Sequence, residues 1–195
     1  MIKLTFSDFD LSILGEIGNV SVGGAATSLS DFVNKLVMIS IPDTKIMKFK
    51  DLKKSFEPAV VYAKVDYVNG FKGSNILLMK SEEAKKFSEI IIEEKLGKRE
   101  FKWDDFSKNV ITEAFNIMVG HMSASMSELF QKGINIEPPE LLEMNASELD
   151  FFNDEEEFVS IWFEVRIEDH LKIRLMKLLT IEQAEDMIAL IKRGI

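Results

Sequence analysis

The chain has 195 residues and a net charge of -9, a balance that argues against a DNA or RNA groove, because nucleic-acid affinity comes mainly from Lys and Arg neutralising phosphates. An apolar share of 46% supports a real core, and the lack of cysteine excludes a disulfide framework or a thiolate site. No segment approaches the roughly 18 apolar residues of a membrane span and the start, MIKLTFSDFD, lacks a secretory pattern, so the expected address is cytoplasmic, without membrane insertion.

Residues 7–34 read as a long helix capped by Ser7 or Asp8, with Ile13, Leu14, Ile17, Ala25, Leu29, Phe32 and Val33 at helical spacing. Its glycines at 18, 23 and 24 lower helix propensity and suggest a close approach by another backbone or a partner. Residues 37–41 read as a strand ending at Pro42, residues 45–49 as a second short strand, and the polar residues 50–57 as a connector. The run AVVYAKVDYV, then Asn69-Gly70, then FKGSNILLMK predicts an antiparallel hairpin with a tight primed turn. Residues 81–95 return as an amphipathic helix. The second half repeats the plan: a helix over 104–131, an irregular stretch rich in Pro and Glu, the strand FVSIWFEVRI, a turn near Glu168 and Asp169, the strand HLKIRLMKLL and a closing helix.

Hairpins of this kind exclude an all-parallel sheet. The expected class is α+β: one internally duplicated domain over 1–195, with repeats at about 7–98 and 104–195, a largely antiparallel sheet and two long helices across it. Glu16, Asn19, Gly23 and Pro42 recur as Glu113, Asn116, Gly120 and Pro139, each displaced by 97 positions. At 3.6 residues per turn Ser12, Glu16, Asn19 and Gly23 share one narrow stripe, as do Asn109, Glu113, Asn116 and Gly120. A carboxylate one turn from a carboxamide suits placement of water: the acid makes a charged contact, and the amide donates and accepts without titrating. Taken alone, an exposed Glu and Asn are usually solvated surface, but duplication supplies no packing reason to keep an exposed amide twice. Pro42 and Pro139 read as strand-end or turn residues.

No Gly-rich phosphate loop precedes a Lys, so any phosphoryl group is expected on another molecule. His121 and His170 lack the spacing of a metal site, and His121 reads as a surface residue beside the stripe. The acidic run Asp154 to Glu157 reads as a solvated loop.

The spacing Ser12, three residues, Glu16, two residues, Asn19, twenty-two residues, Pro42 resembles the motif of the CheC family of bacterial chemotaxis phosphatases, which includes CheX and the phosphatase part of FliY. The stretch EIGNVSVGGAATSLS resembles the family's continuation. The resemblance implies a hydrolase acting on the aspartyl phosphate of a CheY-type response regulator. By carry-over Asn19 and Asn116 hold the attacking water, Glu16 and Glu113 dock the regulator, and Ser12, Asn109, Pro42 and Pro139 support the motif. No intrinsic cofactor or metal is implied; Mg2+ is expected on the phosphorylated partner. The second copy departs at Asn109, where the family has Asp or Ser, and at Phe115, which stands where the first has Gly18. Phe115 either hinders insertion of Asn116 or faces inward. Glu and Asn in both halves favour a CheC-like arrangement over a CheX-like one. The alternative is a weakly catalytic module that binds a response regulator, a CheD-like deamidase or the flagellar switch.

Overall fold

The computed structural model describes residues 6–168 and 171–194. Helix α1 (Asp8–Val33) starts because Ser7 and Asp10 cap each other: the Asp10 N–H donates to Ser7 Oγ (3.2 Å) and the Ser7 N–H to Asp10 Oδ2 (3.0 Å). It stops at Asn34, which adopts the left-handed conformation (φ 58°) and donates its N–H to the Ser30 carbonyl. Helix α4 (Asp105–Leu129) opens on the same reciprocal device, made by Asp104 and Ser107. The remaining elements are β1 (Val37–Ile39), β2 (Asp43–Lys48), α2 (Phe49–Phe56), β3 (Ala59–Asn69), β4 (Ser74–Lys80), α3 (Ser81–Leu96), β5 (Asn135–Ile136), β6 (Glu140–Asn145), a 3-10 turn at Ala146–Glu148, β7 (Glu157–Ile167), β8 (Leu171–Leu179) and α5 (Ile181–Lys192).

The eight strands form an antiparallel sheet in the order β1, β7, β8, β4, β3, β5, with β2 also on β7 and β6 also on β3. The hairpins β3-β4 and β7-β8 meet at the centre, where Ile76, Leu77 and Leu78 face Leu178, Lys177 and Met176. Each half lends its short strands to the other. Strand β2 pairs with β7 from Asp43 opposite Trp162 to Lys48 opposite Glu157, and β6 pairs with β3 from Glu140 opposite Lys64 to Asn145 opposite Ala59. The fold is thus α+β, internally duplicated and pseudo-two-fold.

Alternation along the strands separates two layers. Val61, Ala63, Val65, Val159, Ile161, Phe163 and Val165 face the layer that holds α1, α3, α4 and α5. Val60, Tyr62, Phe158 and Trp162 face a smaller cluster capped by Phe49, Leu52 and Phe56 of α2.

Several expectations are corrected. Residues 50–57 are not a connector: Phe49, Leu52 and Phe56, at helical spacing, are buried along one side of α2. The first strand ends at Ile39, not Ile41, and the second runs from Asp43 to Lys48. The β3-β4 turn is longer than an Asn-Gly pair. The ladder ends at Asp66 opposite Ser74, because Tyr67 and Asn69 turn to β5 and Phe71 is buried. The stretch after α4 is not wholly irregular; it holds β5 and β6. The acidic run is, as expected, an exposed loop over residues 153–156, and its charges are paired: Glu155 accepts from Lys48 (2.7 Å) and Lys50 (2.5 Å), which hold its carboxyl down to about 2, and Asp154 pairs with Lys53 (2.8 Å). His170 and Asp169, with the turn expected there, lie outside the described residues.

Lys177 breaks the apolar pattern. It stands on the helix-facing side of β8, is 1% exposed, and among the described residues its Nζ finds one hydrogen-bond partner, Met126 Sδ at 3.8 Å. Burial pushes its amine down to about 8. Below that pH the folded state carries a buried ammonium. Stability should therefore rise between about pH 8 and 10.5, where the unfolded chain binds more protons, and the penalty at neutral pH is about 3 kcal/mol. Lys177→Met is expected to stabilise the protein by about 2–3 kcal/mol at pH 7, with the gain fading toward pH 10.5. Denaturant unfolding at both pH values checks this, and equal stability of the two proteins at pH 7 would contradict it.

Candidate functional site

Helices α1 and α4 lie antiparallel on the same face of the sheet. Gly24 and His121 occupy equivalent positions of the two repeats and meet at the crossing, where a Cβ on Gly24 would stand 3.4 Å from His121 Nδ1. His121 is half-buried and its Nε2 is hydrogen-bonded to Ser28 Oγ, so it joins the helices rather than standing on the surface beside the stripe. The pseudo-two-fold axis passes here. Asn19 and Asn116 are each five residues from it, placing the two amides about 15 Å apart along the helix pair.

The apolar side of α1 is buried through Leu14, Ile17, Val22, Ala25, Leu29 and Val33. That fixes the rotation of the helix and turns Ser12, Glu16 and Gly23 fully outward and Asn19 partly outward. Burial of Ile111, Ala114, Phe115, Met118 and Met122 does the same in α4, exposing Asn109, Glu113, Asn116 and Gly120. Gly18 and Phe115, equivalent in the repeats, both point inward. Gly18 lets α1 sit close to β7, where a Cβ would come within 3.0 Å of Ile161 Cγ2. Phe115 is fully buried and leaves Asn116 unobstructed. Among the described residues, no hydrogen bond or ion pair engages the side chains of Glu16, Asn19, Glu113 or Asn116.

Each stripe stands between two depressions. On one side of Glu16 is a cleft of about 420 Å³ lined by Asp8, Ser12, Glu16, Pro42, Asp43 and Thr44. On the other is a small apolar groove formed by Ile13, Ile17, Val20, Leu129 and Ile191. Pro42 immediately precedes β2, and Pro139 immediately precedes β6. Pro42 thereby sits beside the helix it follows, although its strand belongs to the other repeat's hairpin. Lys192 anchors the head of α1 by donating to Asp10 (2.6 Å), which holds that carboxyl at about 2.

The second cleft, about 360 Å³, has the same position but different chemistry, with Trp103, Lys108, Asn109, Thr112 and Glu143 on its walls. Trp103 Nε1 donates to Glu143 Oε2 (2.8 Å), and Ser81 Oγ also donates to Glu143. Burial raises the Glu143 carboxyl, but these hydrogen bonds and the charges of Lys85 and Lys108 outweigh it and leave the group below its ordinary range. The first cleft has no cation among its lining residues.

Two supporting residues escaped the sequence reading. Ser30 Oγ accepts from the Val37 N–H (2.9 Å), and Ser127 Oγ accepts from the Ile134 N–H (3.0 Å), fastening the end of each long helix to the chain that follows. The same 97-residue displacement would have found them. Among the described residues no group of three or more His, Asp or Glu side chains is placed to hold a metal ion, and no helix is long and apolar enough to cross a membrane.

Residues 9–46 and 106–143 match the model of the CheC-like family, each window containing one copy of the motif. The chain is 30% identical over 186 residues to the flagellar motor switch phosphatase FliY of Bacillus subtilis, a match covering 94% of this chain and 49% of that protein. It is 24% identical to the CheY-P phosphatase CheC of the same organism, over 67% of this chain and 65% of that one. The chain therefore spans from about half to about two thirds of the curated relatives it matches. The crystal structure of Thermotoga maritima FliY aligns with a TM-score of 0.86 at 26% identity, covering 97% of this chain and 99% of that one.

A Cβ added at Gly23 or Gly120 meets nothing within 4 Å. Packing within the chain does not require these glycines, so each costs helix stability. Gly23→Ala and Gly120→Ala should each stabilise the protein by about 0.5–1 kcal/mol. Gly18→Ala should destabilise it by about 1–3 kcal/mol through overpacking on Ile161. Thermal unfolding of the three variants checks this, and a loss of stability at Gly23 or Gly120 would contradict it.

Proposed function

We propose that this chain, which belongs to the CheC-like family, dephosphorylates a CheY-type response regulator in the cytoplasm, with Asn19 and Asn116 placing the attacking water. The observation that carries this reading is that the Glu-Asn pair stands on the outer side of both pseudo-symmetric helices and has no hydrogen-bond or ion-pair partner among the described residues. Curated relatives named as phosphatases, one of them of CheY-P, give the reading its substrate.

An aspartyl phosphate is an activated acyl phosphate, so hydrolysis needs little covalent help and gains from a well-placed nucleophile. The carboxamide accepts a proton contact from the water through Oδ1 and fixes its orientation through Nδ2. The water oxygen forms a bond to phosphorus as the bond from phosphorus to the receiver's carboxylate oxygen breaks. Inorganic phosphate and the free carboxylate result, and the water's second proton ends on phosphate. Glu16 and Glu113, one turn earlier, supply a fixed negative charge for a lysine beside the receiver's phosphorylation site. Any magnesium ion comes with the receiver and remains with it.

Phosphate release from a cognate phosphorylated receiver tests this. The wild-type chain should accelerate it, Asn19→Ala and Asn116→Ala should each leave about half of the added rate if the sites act independently, and the double variant should return decay to the receiver's own rate. A double variant as fast as wild type would overturn the assignment.

A further inference from the structure

We propose that Phe9 and Phe106 are the anchors that seat the phosphorylated receiver domain on the two stripes, an inference that rests on the phosphatase reading above. The chain has fifteen phenylalanines. Phe9 is 66% exposed and Phe106 52%, and no other phenylalanine is exposed. They occupy the same position of the two repeats, displaced by the same 97 residues as the Glu-Asn pairs.

Their place on the helix makes the exposure informative. Phe9 precedes Ser12 by three residues, Glu16 by seven and Asn19 by ten, and Phe106 stands in the same relation to Asn109, Glu113 and Asn116. At 3.6 residues per turn these spacings put each ring at the head of its own stripe. The distance from Phe9 to Asn19 along the helix is about 15 Å, well inside the footprint of a standard protein interface, which covers about 800 Å² on each partner. A receiver whose phosphorylated carboxylate reaches Asn19 therefore covers Phe9 as well. At the far end of each stripe Gly23 and Gly120 leave a bare backbone, and among the described residues nothing beyond the helix's own backbone lies within 4 Å of the missing Cβ. A knob at one end, acid and amide in the middle and a flat floor at the other end form a continuous contact strip.

At the first stripe the surroundings select a protein with a basic site over other occupants. Asp8, Glu16 and Asp43 line the cleft beside the first stripe without a cation, which suits a receiver presenting a lysine and opposes an anionic lipid surface. Ile41, 82% exposed, stands beside the same cleft and extends the apolar contact. In the second copy Phe106 lines a largely apolar groove with Ile92, Lys95, Leu96, Val110 and Glu113, so ring and carboxylate belong to one surface. Aromatic side chains, Phe among them, are enriched in protein interfaces, and a few residues that the partner fully covers carry most of the binding energy.

The test uses the full chain as wild type, Phe9→Ala, Phe106→Ala, the double alanine variant, the double tyrosine variant and Asn19→Ala/Asn116→Ala. Two readouts are taken: affinity for a receiver activated with beryllofluoride, and kcat and KM for phosphate release. The double alanine variant is expected to weaken binding and raise KM by about tenfold or more, with kcat within about twofold and an unchanged unfolding temperature; tyrosine should restore affinity. The double asparagine variant should do the opposite, losing kcat while binding normally. Unchanged affinity in the double alanine variant overturns the proposal, as does a loss of self-association only, seen by sedimentation. If the wild-type chain neither binds nor dephosphorylates the receiver, the phosphatase reading itself falls. If it does both and the phenylalanine variants match it, only the anchor assignment falls.

Discussion

Everything in this molecule hangs on an exchange of strands. Strands β1 and β2, which follow α1, complete the β7-β8 hairpin of the other repeat, while β5 and β6, which follow α4, complete β3-β4. Neither repeat can close its sheet alone. The exchange pulls the C-terminal end of each long helix toward the partner hairpin and forces α1 and α4 to run antiparallel across one face, touching at Gly24 and His121. Ser30 and Ser127 fasten the crossovers. Once the helices are held in this way, burial of one side of each decides which residues face out, and those are the Glu-Asn stripes.

The same exchange builds the surroundings of the stripes. Pro42 and Pro139 stand where the crossing chain re-enters the sheet, so each cleft is walled by a helix and by the segment that leads to the opposite hairpin. The pseudo-symmetry is chemical as well as geometric at Glu, Asn, Gly and Pro, and it breaks around them. The first cleft is acidic, whereas the second carries Trp103, Lys108 and the hydrogen-bonded Glu143. Two stripes of one design thus present different rims. Lys177, buried in the sheet with a sulfur as the one hydrogen-bond partner of its amine among the described residues, shows that the duplicated core is not optimised for stability.

Much of this was legible in the residues. The reciprocal caps at Ser7 and Asp104, the alternation of Val159, Ile161, Phe163 and Val165, and the 97-residue echo located the helices, the hairpins and the two outward-facing Glu-Asn stripes. The strand exchange was not legible, because alternation reveals which face of a strand is buried but not which neighbour it joins. Helix α2 was missed since its lysines mask the spacing of Phe49, Leu52 and Phe56. The two readings of Phe115 required the sheet: a residue directly before an exposed Asn turns inward only because β7 and its neighbours leave room for a ring at that place. Phe9 was hidden by the ordinariness of an apolar residue in a helix, and only its exposure separates it from the buried phenylalanines.

The most direct measurement is a crystal structure of the chain with a receiver domain activated by beryllofluoride. The account predicts the receiver seated on the α1 stripe with the Asn19 carboxamide at the acyl-phosphate analogue, within hydrogen-bond distance of the line of attack, and Glu16 on the receiver's lysine. A receiver bound elsewhere, such as along the β1 edge, with Asn19 and Asn116 still facing solvent, would contradict it.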